Sequence, residues 1–131
     1  MIEVYTDGAY SSSRDQGGWA FLVLYQDKIL IEKYDGVKST TNNRMEIMGV
    51  LEAVKYLQGT EHQCTIYTDS MYVVGTLTLD WKRRVNNDLW DEFGKLDMSQ
   101  ITVKHVKGHS SNIYNNKCDE LAVFGSQLNI N

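Results

Sequence analysis

Val4-Tyr5-Thr6-Asp7-Gly8, close to the amino terminus, is written again almost residue for residue as Ile66-Tyr67-Thr68-Asp69-Ser70. Around the first copy Ile2, Val4 and Thr6 alternate with Glu3, Tyr5 and Asp7, the period of a half-buried strand, which predicts a first strand ending near Asp7-Gly8. Around the second, residues 64–68 read as a short strand, and Asp69 opens a helical stretch. If the two copies are parallel neighbours in one sheet, their carboxyl ends bring Asp7 and Asp69 side by side, about 4.8 Å apart. That end of an open sheet is where ligands bind.

The flanking sequence supports this arrangement. Residues 17–26 are rich in aromatic and β-branched types, and residues 28–34 form a second such run after the polar pair Gln26-Asp27. The spacing predicts a hairpin, so that residues 2–36 make an antiparallel meander whose first connection, Ser11 through Gln16, is polar. The period then changes. Met45, Met48, Leu51, Val54 and Leu57, widened by Ile47, recur at helical spacing over residues 43–58, and Gly59 stops the run. Leu89, Trp90, Phe93 and Leu96 predict a helix over 87–96, residues 101–106 alternate as a strand, and 115–127 predict a last helix packed through Cys118, Leu121, Ala122 and Gly125. The order is βββαβααβα. Strands separated by helices must run parallel, and right-handed crossovers return those helices to the sheet.

Composition narrows the function classes. The 131 residues, 42% hydrophobic and 23% charged, suit one soluble domain spanning 1–131. The longest apolar run, residues 20–25, is far short of the ~20 residues a membrane helix needs, and the start Met1-Ile2-Glu3 is unlike a signal peptide; a cytoplasmic protein with no membrane partner is expected. Cys64 and Cys118 lack metal-ligand or disulfide spacing and are expected to be reduced, buried thiols. A net charge of -4 argues against holding nucleic acid by bulk electrostatics, though not against holding it through metal.

Two carboxylates forced together at a sheet edge must share a proton or a cation. Other acids stand near helix starts, and each has an ordinary alternative. Asn43 and Glu46 could form a capping box; Asp69 could cap its helix; Asp119 could favour the first turn of a helix begun at Asn115 or Asn116.

Together, Tyr5-Thr6-Asp7-Gly8, Thr40-Thr41-Asn42-Asn43-Arg44-Met45-Glu46, Thr68-Asp69-Ser70-Met71-Tyr72-Val73, Asn87-Asp88-Leu89-Trp90, Val106-Lys107-Gly108-His109 and Asn116-Lys117-Cys118-Asp119-Glu120-Leu121-Ala122 resemble type 1 ribonuclease H, in the family's order and over nearly the whole chain. The resemblance implies an α/β ribonuclease H-like fold, a five-stranded mixed sheet of order 3-2-1-4-5 with helices on both faces. It implies an endoribonuclease that hydrolyses the RNA strand of RNA/DNA hybrids as a monomer. Asp7, Glu46, Asp69 and Asp119 would hold two Mg²⁺ ions, with Mn²⁺ a substitute. Two cations about 4 Å apart supply the attacking group and stabilise the leaving oxygen without a protein nucleophile, and oxygen-only ligands suit Mg²⁺ or Mn²⁺ rather than zinc.

By the same resemblance, His109 would carry protons or assist product release. Asn42, Asn43 and the backbone from Gly8 would contact the hybrid, Thr41 and Asn86 would hold a DNA phosphate, and Trp81 would pack on DNA sugars or in the core. Two departures stand out. Ser13 occupies the place where bacterial members carry Asn in the turn after the first Asp. Their basic helix and loop are also missing, since Trp81-Lys82-Arg83-Arg84 reaches Asn87 through Val85 and Asn86 alone. Competing readings are a nuclease or strand-transfer relative on the same fold, or a hybrid-binding module without activity; loss of an acid would mark the latter, and all four are present.

Overall fold

The computed structural model describes residues 1–107 and 112–130. β1 (Ile2–Ser11), β2 (Gln16–Tyr25) and β3 (Lys28–Lys38) form the antiparallel meander, and β4 (Cys64–Thr68) and β5 (Ile101–His105) extend it in parallel, giving the order β3-β2-β1-β4-β5. In the β1–β4 ladder Val4 faces Ile66 and Tyr5 faces Tyr67, so the repeated phrase lies in register with itself.

β1 runs beyond the predicted end at Gly8, because Gly8, Ala9, Tyr10 and Ser11 pair with Trp19, Gly18, Gly17 and Gln16. This stretch has little strand propensity of its own. The glycines it pairs with in β2 stand where helices come close: a Cβ on Gly17 would collide with Met45, and one on Gly18 with the Ala122 carbonyl. Tertiary packing, rather than alternation, sets the strand's length.

Side chains leave the two sheet faces alternately. Val4, Phe21, Val23, Ile66 and Val103 pack against α1 (Asn42–Tyr56), α2 (Met71–Thr78) and α3 (Asn87–Phe93), with Met45, Ile47, Val50, Val73 and Trp90 at the centre. On the opposite face Tyr5, Ala20, Leu22 and Leu24 meet Cys118, Leu121 and Ala122 of α4 (Ile113–Ser126). Both cysteines are buried and free. No described helix is long and apolar enough to cross a membrane.

Helix boundaries depart from the expected ones where caps decide them. Thr41, not Asn43, caps α1, its hydroxyl accepting from the Arg44 N–H at 3.1 Å. Ser70, not Asp69, caps α2 by accepting from Val73 N–H at 3.2 Å. Asn112 caps α4, accepting from Tyr114 and Asn115 N–H at 2.9 and 3.0 Å. α3 stops at Phe93, before Gly94, rather than at 96.

Candidate active site

Those caps remove the ordinary explanations for the acids. With Thr41 at the cap, Glu46 lies in the second turn of α1, too far along to fold back as a capping box. Asp69 caps nothing, and Asp119 stands well inside α4 rather than in its first turn.

Asp7 sits on β1, the central strand, 4% exposed, with its Oδ1 accepting from the Gly8 N–H at 2.8 Å. Extending the β1–β4 register by two residues from Tyr5 and Tyr67 brings Asp69 alongside. Glu46 arrives from the opposite face. It can do so because Gly8 has no Cβ: one there would sit 2.5 Å from the Met45 carbonyl carbon and 2.9 Å from Glu46 Oε1. Gly49, one turn later, also comes close to β1: a Cβ there would sit 2.9 Å from the Asp7 carbonyl oxygen. As a result one carboxylate oxygen each from Asp7, Glu46 and Asp69 lies within 4.8 Å of the others. Asp119 is exposed and outside that trio, but lines a small cleft together with Asp7, Asp69, Asn115 and Asn116.

Burial is the main cause that raises the Asp7 carboxyl well above the usual carboxylate range, and the charges of Asp69 and Asp119 add to it against the Gly8 N–H. Glu46 is raised further, again by burial first and then by Asp69 and Asp7. Glu46 Oε1 is buried without a donor among the described residues. Its neighbours are carboxylates, which only accept when ionised, so they can bond to one another only by sharing a proton. A divalent cation relieves the same conflict, and the all-oxygen donor set fits a hard ion. Cys118 beneath the site donates its S–H to the Tyr5 and Ala20 carbonyls at 3.4 Å, and burial pushes the thiol up, which makes it inert packing.

The remaining expected residues surround this centre. Thr41, Asn42 and Asn43 are exposed at the start of α1. Arg44 ties that helix end to α3: its guanidinium grips Asp88 at 2.7 and 3.0 Å, holding that carboxyl down to about 2, and donates to Asn86 Oδ1 at 3.2 Å. Asn86 has a left-handed backbone (φ 63°) and donates to the Tyr72 hydroxyl, which also accepts from Trp90 Nε1. Thr41 and Asn86 are thus joined through one arginine. Ser13 is exposed at the β1–β2 turn, 3.2 Å from the Ser11 hydroxyl. Trp81 is half exposed, its ring lying where a Cβ on Gly75 would be, so it is neither wholly core nor free. His109 lies outside the described residues.

Sequence reasoning missed Asn115 as a lining residue, although its spacing of one helical turn before Asp119 was a usable signal. It also missed Arg44 as the link between Thr41 and Asn86, for which no local pattern exists.

The family model described as RNase H matches residues 1–127. The ribonuclease HI of Synechocystis sp. is 38% identical, over 99% of this chain and 90% of its own length. The ribonuclease H of Chlorobaculum parvum is 40% identical, over 92% of each. Among solved structures, LC11-RNase H1 in complex with an RNA/DNA hybrid superposes with a TM-score of 0.83 over 97% of both chains; at 19% identity that likeness speaks for the fold. With a sequence match over nearly its whole length, a shared architecture and a trio of converging acids, this chain belongs to the RNase H family.

Proposed function

We infer that this protein is an endoribonuclease that hydrolyses the RNA strand of RNA/DNA hybrids, with Asp7, Glu46, Asp69 and Asp119 as ligands for two Mg²⁺ ions that Mn²⁺ can replace. The observation that carries the reading is the approach of three carboxylates from β1, α1 and the end of β4 to within 4.8 Å, at the carboxyl ends of parallel strands. When bound, two such cations supply an activated water and a stabilised leaving oxygen.

The chain's own part is placement. Asp7, fixed by the Gly8 N–H and flanked by Glu46 and Asp69, would be the central ligand of the cation site. Asp119 would complete the set from the cleft it lines with Asp7 and Asp69. Thr41 and Asn86, linked by Arg44, are the groups for a DNA phosphate, while Asn42, Asn43, Gly8 and Ser13 would meet the minor groove, where RNA is told apart by its 2′-hydroxyls. Trp81, half exposed, would pack on the DNA sugars. On the family resemblance, His109 would move a proton during turnover.

Cleavage of a labelled hybrid, with matched DNA/DNA and RNA/RNA duplexes as controls, tests this. Metal-dependent cutting of the RNA strand in the hybrid alone is expected. No cutting in Mg²⁺ or Mn²⁺, or equal cutting of all three duplexes, would refute it.

A further inference from the structure

We propose that Asn115 is a further polar group of the cation site, its buried side-chain oxygen accepting a hydrogen bond from the hydration shell of a divalent cation held by Asp7, Asp69 and Asp119. The proposal rests on the reading of those acids as ligands. Asn115 lies one turn before Asp119 on α4, where residues four apart share a helix side, and it lines the same cleft as Asp7, Asp69 and Asn116. Yet it is 3% exposed, and its Oδ1 is fully buried without a donor among the described residues. Its backbone is satisfied, since its N–H donates to the Asn112 cap at 3.0 Å.

An amide buried for structural reasons carries its partners with it, because an unsatisfied polar group in the interior destabilises the fold. Among the described residues Asn115 has none for its oxygen. Three of its neighbours in the cleft, Asp7, Asp69 and Asp119, are carboxylates, which accept hydrogen bonds and offer no donor to an amide oxygen, and the fourth, the exposed Asn116, is not bonded to it. A donor chemistry suited to a cleft lined by three acids is water bound to a cation. Mg²⁺ dehydrates reluctantly and keeps several waters when held by a few carboxylates, so neutral acceptors around those waters orient the shell. The Asn115 amide can turn to present its oxygen without adding a fifth charge to a site that already gathers Asp7, Glu46, Asp69 and Asp119.

The test compares the full chain with Asn115→Leu, which removes both polar atoms at similar volume, and Asn115→Asp, which keeps an oxygen acceptor. Mg²⁺ uptake is measured by calorimetry, and Tm with and without Mg²⁺. For Asn115→Leu the metal-free Tm should equal or exceed that of the wild type, because an orphaned acceptor has gone. Its Mg²⁺ affinity should fall roughly tenfold or more, the usual effect of losing an outer-shell partner, with a smaller Mg²⁺-induced rise in Tm. Asn115→Asp should recover the affinity. Asn115→Ala carries the same expectation for affinity if leucine proves too bulky.

Wild-type Mg²⁺ affinity in both Asn115→Leu and Asn115→Ala would overturn the role of Asn115. So would a loss of metal-free Tm with the Mg²⁺ increment intact. Asp7→Asn separates the two levels of the argument, because Mg²⁺ uptake unaffected by that change would sink the assignment of the acids themselves.

Discussion

Replacing Asp7 with Asn should destroy activity and at the same time make the metal-free protein more stable. The oxygen that accepts the Gly8 N–H at 2.8 Å has a counterpart in Asn, and the new NH₂ can donate toward Glu46, whose Oε1 has no donor among the described residues. Two unit charges 4.8 Å apart, the limit within which the three acids lie, repel by about 3.5 kcal/mol at an effective dielectric constant of about 20. The site relaxes by taking up protons, so the realised gain should be smaller, about 1–3 kcal/mol. In a chain of this size that is a rise in Tm of roughly 3–10 °C. The sign with pH follows from the direction of the shifts. Asp7, pushed up to about 7, and Glu46, raised further, bind protons in the folded state that the unfolded chain has released above pH ~4. Their contribution is present below that pH and is lost as pH climbs through the raised values. Asp7→Asn should therefore outdo the wild type by more at pH 8 than at pH 5.5. Scanning calorimetry in a chelating buffer at both pH values reads the effect, and a hybrid-cleavage assay should show a loss of about 10³-fold or more. A metal-free Tm below the wild type, or a gain that is the same at both pH values, would refute the account of repulsion.

Gly8→Ala should push α1 off β1, because its Cβ would lie 2.5 Å from the Met45 carbonyl carbon; a loss of about 1–3 kcal/mol and at least tenfold in turnover is expected from denaturation and cleavage assays. Arg44→Lys should leave Tm nearly unchanged, Asp88 being largely exposed and Arg44 only partly buried, yet raise KM severalfold by releasing Asn86. An unchanged KM would detach that arginine from substrate binding. Lys82, Arg83 and Arg84 are exposed on a chain of net charge -4, so hybrid binding by inactive Asp69→Asn should show a salt slope of roughly two to four, and a slope above about six would mean another basic surface.

The parts of this protein that were legible in advance share a property: the relevant signal is local, or is repeated. The register of β1 and β4 was readable because one phrase occurs twice, and the packing side of α4 because Cys118, Leu121, Ala122 and Gly125 recur at helical spacing. The end of β1 was not, because Gly8 to Ser11 are held by partners in β2 and by the helices above them. Cap positions also escaped: Thr41 and Asn43, or Asp69 and Ser70, are equally good capping types one or two residues apart, and only the path of the chain chooses between them. For the site, residue-level reasoning alone left each acid with a structural alternative. The family resemblance favours the metal-binding reading of all four, and the caps at Thr41, Ser70 and Asn112 are incompatible with the structural alternatives.

The same geometry explains how a fold tolerates three repelling carboxylates at its centre. Apart from the Gly8 N–H bonded to Asp7 Oδ1, the contacts that set their positions lie in the backbone and in helix packing rather than in the carboxylates. Asp7 and Asp69 are aligned by a backbone ladder, and Glu46 by the close seating of α1 on Gly8 and Gly49. The second turn of α1 is anchored by Met45 and Ile47, both fully buried, on either side of Glu46. Asp119, the acid that stands outside the trio and in solvent, adds less to the repulsion than it would from within. Changes to the acids should thus alter charge and metal affinity while the backbone holds, whereas changes to Gly8 or Gly49 should alter distances while the charge stays the same. The two classes separate by response to added Mg²⁺: the cation should stabilise the wild type, fail to stabilise Asp7→Asn, and stabilise Gly8→Ala only in part, since its ligands are all present but no longer meet.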